Sequence, residues 1–436
     1  MTRKSLLMLS DDAHVVRACA DLGVDLTVAC GLPQADFGRV AIPSADRQLF
    51  LESAHDVETV LLGLYRAGID PSSFDGVYST DEGGVTAAAF LGQALGIPSM
   101  SPRVAALCRD KSLAKAALSA AGVPTADFIV IDDLCELPAD FEVPFAPAVL
   151  KPVSGGATYY TSVIRSSAEL QEAAKRARAD RRFRTYILES FVPGDEYHLN
   201  GVVFDGELRF LSVGGYVQPC LTAVSNNQWL RTFVFDPVQD AAVYERVTPM
   251  AEQALRVLGL RAGVFHMEMF YDAEHERLTF GECAARRGGG CVEEEVLHKF
   301  GVSLAEAAAQ CALGIEPTLK PEIRPAAVGA AFLPYVPGLL VSHPTEHELM
   351  ALPNVEYAMV EWPIGFDMEP MVSTIMKMGH VLFAADSRAE LFKRMDEVVS
   401  WFQERTVAVP PGATPRELLR WQAGVKAAAA ARAEHV

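Results

Sequence analysis

The sequence RAGVFHMEMFYDAEHERLTFGECAAR, at residues 261–286, is the most informative part of this chain. Apolar and polar side chains alternate along its first and last parts, with the polar turn Asp-Ala-Glu-His-Glu between them. Alternation with a period of two is typical of β-strands, so the pattern predicts a β-hairpin with arms over 261–270 and 277–282. Every second residue of an arm shares one face of the sheet. One face therefore carries His266, Glu268 and Phe270 on the first arm, and Leu278, Phe280 and Glu282 on the second.

The hairpin brings two glutamates together. If Phe270 lies opposite Phe280, then Glu268 lies opposite Glu282 across the ladder. Two carboxylates about 5 Å apart repel each other, so this arrangement needs a compensating cation. Mg²⁺ is usually held by one or two carboxylates together with substrate phosphates. The alternative is two solvated glutamates on an exposed face, but the phenylalanines on the same face favour the metal site.

An arginine pair and three glycines follow the second glutamate, in the run Cys283-Ala284-Ala285-Arg286-Arg287-Gly288-Gly289-Gly290. Arginine can neutralise the charge of a transferring phosphoryl group or a substrate carboxylate, and glycines let the backbone approach it closely. Arg-Gly clusters also occur in ordinary turns. Beside the paired glutamates, this cluster predicts a combined phosphate and metal site. Cys283 and Cys291 flank the glycines without an evident base partner, and we interpret them as packing residues.

Two segments farther upstream have the character of ligand-binding strand ends. A predicted strand at 148–151 runs into a loop of small residues, 152–158, which is typical of a flexible flap. A second apolar strand begins at residue 187 and stops at Pro193-Gly194. Free backbone groups at such a strand end can bind the edge of an adenine, and Glu196 can accept hydrogen bonds from ribose hydroxyls. A strand and turn without a ligand is the alternative interpretation.

The N-terminal third alternates short apolar runs with helical periods, which predicts parallel βαβ units. No GxGxxG follows the first strand, and Asp11 and Asp12 at that place would repel a pyrophosphate, so a nicotinamide dehydrogenase is disfavoured. The GxxxxGK[ST] loop is also absent from the sequence. The run from Asp81 to Gly84 lies where a strand gives way to a helix. Ligands of open α/β sheets collect at such places, although a surface turn explains the run equally well.

Composition excludes several classes of protein. The chain has 436 residues, 50% of them apolar, which suits several folded units and excludes a mainly disordered protein. A formal net charge of −18 disfavours general nucleic-acid binding. The eight cysteines are scattered without a CxxC, which predicts reduced thiols. No apolar run approaches the roughly 18 residues of a membrane span and no signal peptide is evident, so we expect a cytoplasmic protein with no membrane partner.

Five motifs follow one another along the chain. They are Asp110-Lys111 at a helix start, Val149-Leu150-Lys151-Pro152 with Ser154-Gly155-Gly156, Leu188-Glu189-Ser190-Phe191 with Gly194-Asp195-Glu196, His266-Met267-Glu268, and Glu282-Cys283-Ala284-Ala285-Arg286. In this order they resemble the ATP-grasp superfamily, over about residues 1–400. Within it, the Glu-Cys-Ala-Ala-Arg stretch and the long C-terminal segment look most like the L-amino acid ligases of the bacilysin synthetase type.

The resemblance implies an α/β ATP-grasp fold in four parts. These are an N-terminal Rossmann-like α/β domain (residues 1–108), a small lid subdomain (109–186), a large subdomain with the metal site (187–313), and a C-terminal α/β extension with a terminal helix (314–436). For the phosphates of ATP it implies contacts from Lys111 and Lys151, under a lid that includes Ser154, Gly155 and Gly156. Lys151 and Arg286 would be the catalytic residues, because they would neutralise the charge of the transferred phosphate.

For the rest of the nucleotide, the resemblance implies one set of adenine contacts and one metal pair. The adenine contacts would be Glu189, Ser190, Phe191, Val192 and Phe280, with Glu196 on the ribose. Glu268 and Glu282 would hold Mg²⁺, or Mn²⁺ in its place. Many ATP-grasp enzymes carry an asparagine where this chain has Ala284, so we expect one metal ligand to be missing.

The activity implied is that of a carboxylate–amine ligase. A carboxylate attacks the γ-phosphate of ATP to give an acylphosphate, and an amine then displaces phosphate, which forms an amide bond between small amino acids and releases ADP. Candidate substrate contacts are His198, His266, Asn226, Arg286, Gly288 and Gly289. Two alternatives stay open: another ATP-grasp reaction, such as that of a biotin carboxylase or a purine-pathway ligase, and a nucleotide-binding regulator without turnover. We expect a homodimer.

Overall fold

The fold is known from a computed structural model that describes residues 3–31, 45–225, 228–368, 376–410 and scattered positions from 412 to 423. The described residues form an α/β protein with one parallel sheet at the N-terminus and antiparallel sheets after it. The parallel sheet and the largest antiparallel sheet share a hydrophobic core, in which Leu6 and Val28 pack with Val202 and Val264. The α/β class expected from the sequence is therefore confirmed.

The N-terminal sheet has four parallel strands in the order β3-β2-β1-β4. Its elements are β1 (Ser5–Met8), α1 (Ala13–Asp21), β2 (Asp25–Gly31), β3 (Arg47–Leu51), α2 (Val57–Arg66), β4 (Gly76–Tyr78) and α3 (Gly84–Leu95). The strands are apolar on both faces because α1 covers one face and α2 and α3 cover the other. The carboxyl ends of β1 and β4 bring Asp12 and Glu82 to the same edge of the sheet.

Two short helices lead from this sheet to the next. They are α4 (Pro102–Arg109) and α5 (Lys111–Ala120). Asp110 ends the first and caps the second, because its Oδ1 accepts hydrogen bonds from the N–H groups of Ser112 at 2.9 Å and Leu113 at 3.0 Å. The helix start expected at Asp110-Lys111 is therefore confirmed.

A four-stranded antiparallel sheet in the order β5-β8-β6-β7 forms the small subdomain, with α6 packed against it. Its elements are β5 (Phe128–Ile131), β6 (Ala148–Pro152), β7 (Ser162–Ile164), α6 (Ser167–Asp180) and β8 (Tyr186–Ser190). The subdomain boundary expected between residues 186 and 187 is wrong. β8 hydrogen-bonds to both β5 and β6, so the chain leaves this sheet only after Ser190.

The largest sheet has eight antiparallel strands in the order β13-β12-β9-β10-β11-β14-β18-β16. These strands are β9 (Asp195–Phe204), β10 (Glu207–Tyr216), β11 (Arg231–Val234), β12 (Gly263–Asp272), β13 (Arg277–Ala284), β14 (Ala327–Leu333), β16 (Val355–Val360) and β18 (Gly379–Ala385). The helices that accompany them are α7 (Cys220–Ser225), α8 (Ala241–Leu258), α9 (Val292–Phe300) and α10 (Leu304–Ala312). The last three strands of the order come from the expected C-terminal extension, which therefore continues the central sheet.

The rest of the C-terminal part is a small sheet and two helices. The sheet, in the order β17-β15-β19, consists of β15 (Gly338–Ser342), β17 (Asp367–Met368) and β19 (Val407–Val409), and the helices are α11 (Glu346–Met350) and α12 (Arg388–Arg405). Most of the terminal helix expected over 417–431 lies outside the described residues. Among the residues that are described, no helix combines the length and the apolar character needed to cross a bilayer.

Candidate active site

A cavity of about 1140 Å³ lies where the N-terminal sheet, the small subdomain and the hairpin β12–β13 meet. Most of the residues singled out in the sequence line it: Lys111, Lys151, Ser154, Gly155, Gly156, Glu189, Ser190, Phe191, Val192, Glu196, His198, His266, Glu268, Glu282, Arg286, Gly288 and Gly289. Asn226 lies outside the described residues. Pockets for one small ligand measure about 300–1,000 Å³, so this cavity has room for a nucleotide and a further substrate.

The two glutamates predicted as metal ligands face each other across the hairpin. Glu268 on β12 is in register with Glu282 on β13, as expected. Burial alone would raise the pKa of Glu282. The positive charges of Lys111 and Lys151 outweigh this effect and hold the pKa well below its usual range. The Nζ of Lys111 lies 3.1 Å from Glu282 Oε2. Burial and the charge of Glu268 raise the pKa of nearby Glu196 to about 8. The facing carboxylates of Glu268 and Glu282 offer hard oxygen donors, which fit a Mg²⁺ ion.

The expectation that Phe280 lies opposite Phe270 and packs against adenine is wrong. A β-bulge shifts the register after Glu268, so that Phe280 pairs with Met269 and Gly281 is the extra residue. A Cβ on Gly281 would come within 3.0 Å of the Glu268 carbonyl oxygen, which a glycine avoids. The bulge turns Phe280 into the core, where it is 1% exposed, whereas Phe270 lines the cavity.

Two lysines converge on Glu189 beneath the cavity. Lys151 Nζ lies 3.1 Å and Lys115 Nζ 3.5 Å from Glu189 Oε2. Lys115 is 1% exposed and donates to the carbonyl oxygen of Gly281 at 2.9 Å. Sequence reasoning missed Lys115, although a lysine one turn after Lys111 on an apolar helix was a signal. The side chain of Glu189 thus positions Lys151, and the next two backbone N–H groups, of Ser190 and Phe191, donate to the carbonyl oxygens of Asp127 and Pro147.

Replacing Lys115 with methionine is expected to remove part of the pH dependence of stability. Burial lowers the pKa of Lys115 from 10.5 to about 8, although Glu189 opposes this shift. Between these pH values the unfolded chain binds more protons, so the wild type becomes more stable as pH rises. We expect its free energy of unfolding to rise by up to about 3 kcal/mol relative to Lys115→Met between pH 8 and 10.5.

Urea unfolding of the two chains at several pH values from 7 to 10.5 measures this difference. Lys175, which is exposed on α6, provides the control, because Lys175→Met should differ from the wild type by the same amount throughout that range. A difference between wild type and Lys115→Met that stays constant with pH would contradict the shifted pKa.

The loop between β6 and β7 rests on Lys111. The Nζ of this lysine donates to the carbonyl oxygen of Gly155 at 2.5 Å. Farther along the loop, Ala157, Thr158 and Tyr160 have φ values of 51°, 59° and 55°. Non-glycine residues adopt this left-handed region at a cost, and such backbone is concentrated in ligand clamps and switch segments. The predicted flap therefore lies against a lysine expected to bind phosphate.

The arginine pair after β13 reaches back to the N-terminal sheet. Arg286 pairs with Glu82, and Arg287 pairs with Asp12. Both carboxylates follow parallel strands, and both line the cavity. The sequence left two interpretations of residues 81–84, a ligand site and a surface turn. The structure therefore supports the ligand site. Asp12 was missed as a site residue, although a carboxylate at the end of a parallel strand was a signal for it. Arg287 belongs to the arginine pair for which the sequence predicted a phosphate and metal site.

His198 and His266 line the cavity, and the buried side chain of Asn200 contacts both rings. Asn200 Nδ2 lies 3.0 Å from His198 Nδ1, and Asn200 Oδ1 lies 2.8 Å from His266 Nδ1. Burial and the neighbouring His266 lower the pKa of His198 to about 3, so its ring is neutral at pH 7. A Cβ on Gly288 would lie 2.7 Å from His266 Nδ1, which explains the need for glycine there. No sequence signal pointed to Asn200, since a lone amide within a strand carries no motif.

Comparison with known proteins agrees with this geometry. Residues 116–289 match the ATP-grasp domain family. The chain is 25% identical to the L-arginine-specific L-amino acid ligase of Bacillus subtilis over 279 residues, which is 63% of this chain and 66% of that protein. It is 36% identical to the D-alanine–D-alanine ligase of a Synechococcus strain over 110 residues, 24% of this chain and 33% of that protein. The chain thus spans less than two thirds of the length of these curated relatives.

The fold is shared over a larger part of the chain. The crystal structure of an L-amino acid ligase from Bacillus licheniformis superposes with a TM-score of 0.75 at 20% identity, and the match covers 92% of this chain and 98% of the other. The domain match covers the lid, Lys151 and the glutamate hairpin described above. Residues 116–289 therefore form an ATP-grasp domain, within a chain that has the ATP-grasp fold.

Proposed function

We propose that this protein is an ATP-dependent carboxylate–amine ligase that joins small amino acids and releases ADP and phosphate. One observation carries the proposal: Lys151, which is more than a hundred residues away in the sequence, lines the same cavity as Glu268, Glu282 and Arg286. The similarity to L-amino acid and D-alanine–D-alanine ligases supports this class of reaction.

The nucleotide would lie between the small subdomain and the hairpin. Lys111 and Lys151 would contact its phosphates, and residues 189–192 would bind the adenine edge through their backbone. Glu196 would accept from the ribose, and the neighbouring backbone N–H of Cys220, which donates to Glu196 Oε2 at 2.8 Å, holds this carboxylate in place. The phosphates would then point toward the glutamate pair.

Catalysis would depend on positioning and charge neutralisation. Glu268 and Glu282 would hold Mg²⁺ or Mn²⁺, which supplies positive charge to the phosphates when it is bound. Arg286 and Lys151 would neutralise the phosphoryl group as it passes to the substrate carboxylate. The resulting acylphosphate is sensitive to water, so the loop at 154–158 would protect it by closing.

The two substrates would occupy the side of the cavity away from the adenine. This side combines Arg286 and Arg287, which can bind a carboxylate, with His198 and His266, whose rings are contacted by the buried Asn200. The second step, amide formation, needs a neutral amine, which attacks the acylphosphate carbon and displaces phosphate. This polar region suits the charged amino and carboxylate groups of two amino acids better than it suits an apolar substrate.

The proposal predicts phosphate release that depends on particular pairs of amino acids. Purified protein with ATP and Mg²⁺ is offered the twenty amino acids singly and in pairs, and products are detected by mass. We expect phosphate release with certain pairs, together with a mass equal to their sum less one water. ATP binding without phosphate release in any mixture would favour a regulator, and release that requires bicarbonate would favour a carboxylase-type ATP-grasp reaction.

A further inference from the structure

A second group of side chains that can bind a metal follows the glycine run 288–290, and one of them, Cys291, lines the active-site cavity. It consists of Cys291 at the start of α9, Glu294 one turn later, and His380 on β18. One ligand atom from each of the three lies within 4.8 Å of the others. All three residues are buried, with exposures of 3%, 8% and 3%. A thiol, a carboxylate and an imidazole are thus brought together inside the protein from two distant segments.

His380 is the feature that points to a ligand. Among the described residues, neither of its ring nitrogens has a hydrogen-bond partner. The nearest acceptor is Glu361 Oε1, which lies 3.6 Å from His380 Nδ1, and the ring stacks on Tyr357. Burying an imidazole without hydrogen bonds is costly, and buried polar groups in folded proteins nearly always have partners. A metal ion bound to one nitrogen would remove this cost. A carboxylate such as Glu361 beside the other nitrogen is the usual neighbour of a metal-bound histidine.

The spacing of these donors suits one ion. Two ligands about 2.1 Å from a tetrahedral ion are roughly 3.4 Å apart, so the three atoms, which lie within 4.8 Å of one another, reach this geometry with shifts of about 1 Å. From the N-terminal domain, His14 on α1 places its Nε2 3.2 Å from Glu294 Oε1 and so contacts this carboxylate.

We propose that Cys291, Glu294 and His380 bind a Zn²⁺ ion that ties α9 and β18 together. Thiolate and imidazole donors favour zinc over magnesium, which prefers an all-oxygen set such as the one on the hairpin. Three protein ligands leave the fourth position of a tetrahedral ion to a water molecule. Since Cys291 directly follows Gly290, the ion also fixes the end of the glycine run that lines the active-site cavity. Its role is therefore to position this loop.

Metal content of the full-length protein tests the proposal. Wild type, Cys291→Ser and His380→Gln are incubated with Zn²⁺, dialysed and analysed for zinc by mass spectrometry. Cys311→Ser is the matched control, because Cys311 is also buried on a helix but lies outside the cluster. We expect about one zinc per chain in the wild type and the control, and at least a tenfold lower content in the two cluster variants. Saturating Mg²⁺ and ATP should leave the zinc in place, which separates this site from the glutamate pair.

Cobalt substitution keeps the test decisive even where a variant fails to fold. Co²⁺ bound to the wild type through Cys291 should show a thiolate charge-transfer band in the near ultraviolet and the visible bands of a tetrahedral ion. No retained zinc in the wild type, equal zinc in all four proteins, or a cobalt spectrum without the thiolate band would each overturn the proposal. Because the readout is metal content, its failure would leave the proposed ligase activity untouched.

Discussion

Glu282→Gln is expected to lower the rate of Mg²⁺-dependent ADP release by about a thousandfold. A metal ion that polarises a phosphoryl group contributes several kcal/mol to the transition state, and each 1.36 kcal/mol corresponds to a factor of ten in rate. Glutamine preserves the size of the side chain but removes the charge that pairs with Lys111 and faces Glu268. The variant should therefore keep its fold and lose only catalytic rate.

Steady-state ADP release at several Mg²⁺ concentrations measures this loss. Part of the rate should return at high Mg²⁺ or with Mn²⁺, because Glu268 still offers one carboxylate to the ion. Glu274→Gln is the matched control: this glutamate lies in the exposed turn of the same hairpin, and its replacement should leave the rate unchanged. Full ADP release by Glu282→Gln would refute the metal site and with it the proposed ligase.

Arg286→Met is expected to reduce kcat by about a hundredfold to a thousandfold, with little change in the KM for ATP. Removal of one preorganised donor from a developing charge typically has an effect of this size. An interaction that forms mainly in the transition state affects kcat more than KM. Lys111 and Lys151, which are expected to bind the ground-state phosphates, stay in place.

The control for this variant must separate chemistry from structure, because Arg286 also pairs with Glu82. Arg277→Met removes an exposed arginine from the start of β13, the strand that precedes Arg286, and should be neutral. Arg286→Lys should recover part of kcat, since it retains the charge without the planar fork. Melting temperatures of all variants report on the loss of the Glu82 pair. A raised KM for ATP with unchanged kcat would assign Arg286 to nucleotide binding instead.

The glutamate pair shows which contacts a local sequence pattern can predict and which it cannot. Alternation along residues 261–286 predicted the hairpin and its paired glutamates, and Glu268 does lie in register with Glu282. The same pattern failed for Phe280, because one extra residue at Gly281 reverses which face the next side chain takes. Whether a bulge forms depends on the packing around it, and here Phe280 gains burial in the core.

The partners of the charged residues depended entirely on the tertiary structure. The sequence by itself determined the alternating elements of the N-terminal domain, the helix start at Asp110, the hairpin and the order of the motifs, because these depend on neighbours in the chain. The pairing of Arg286 with Glu82, the burial of Lys115 against Glu189, and the approach of His380 to Cys291 join segments tens to hundreds of residues apart. Such contacts arise only when packed sheets and helices bring distant side chains together, and periodicity describes one element at a time.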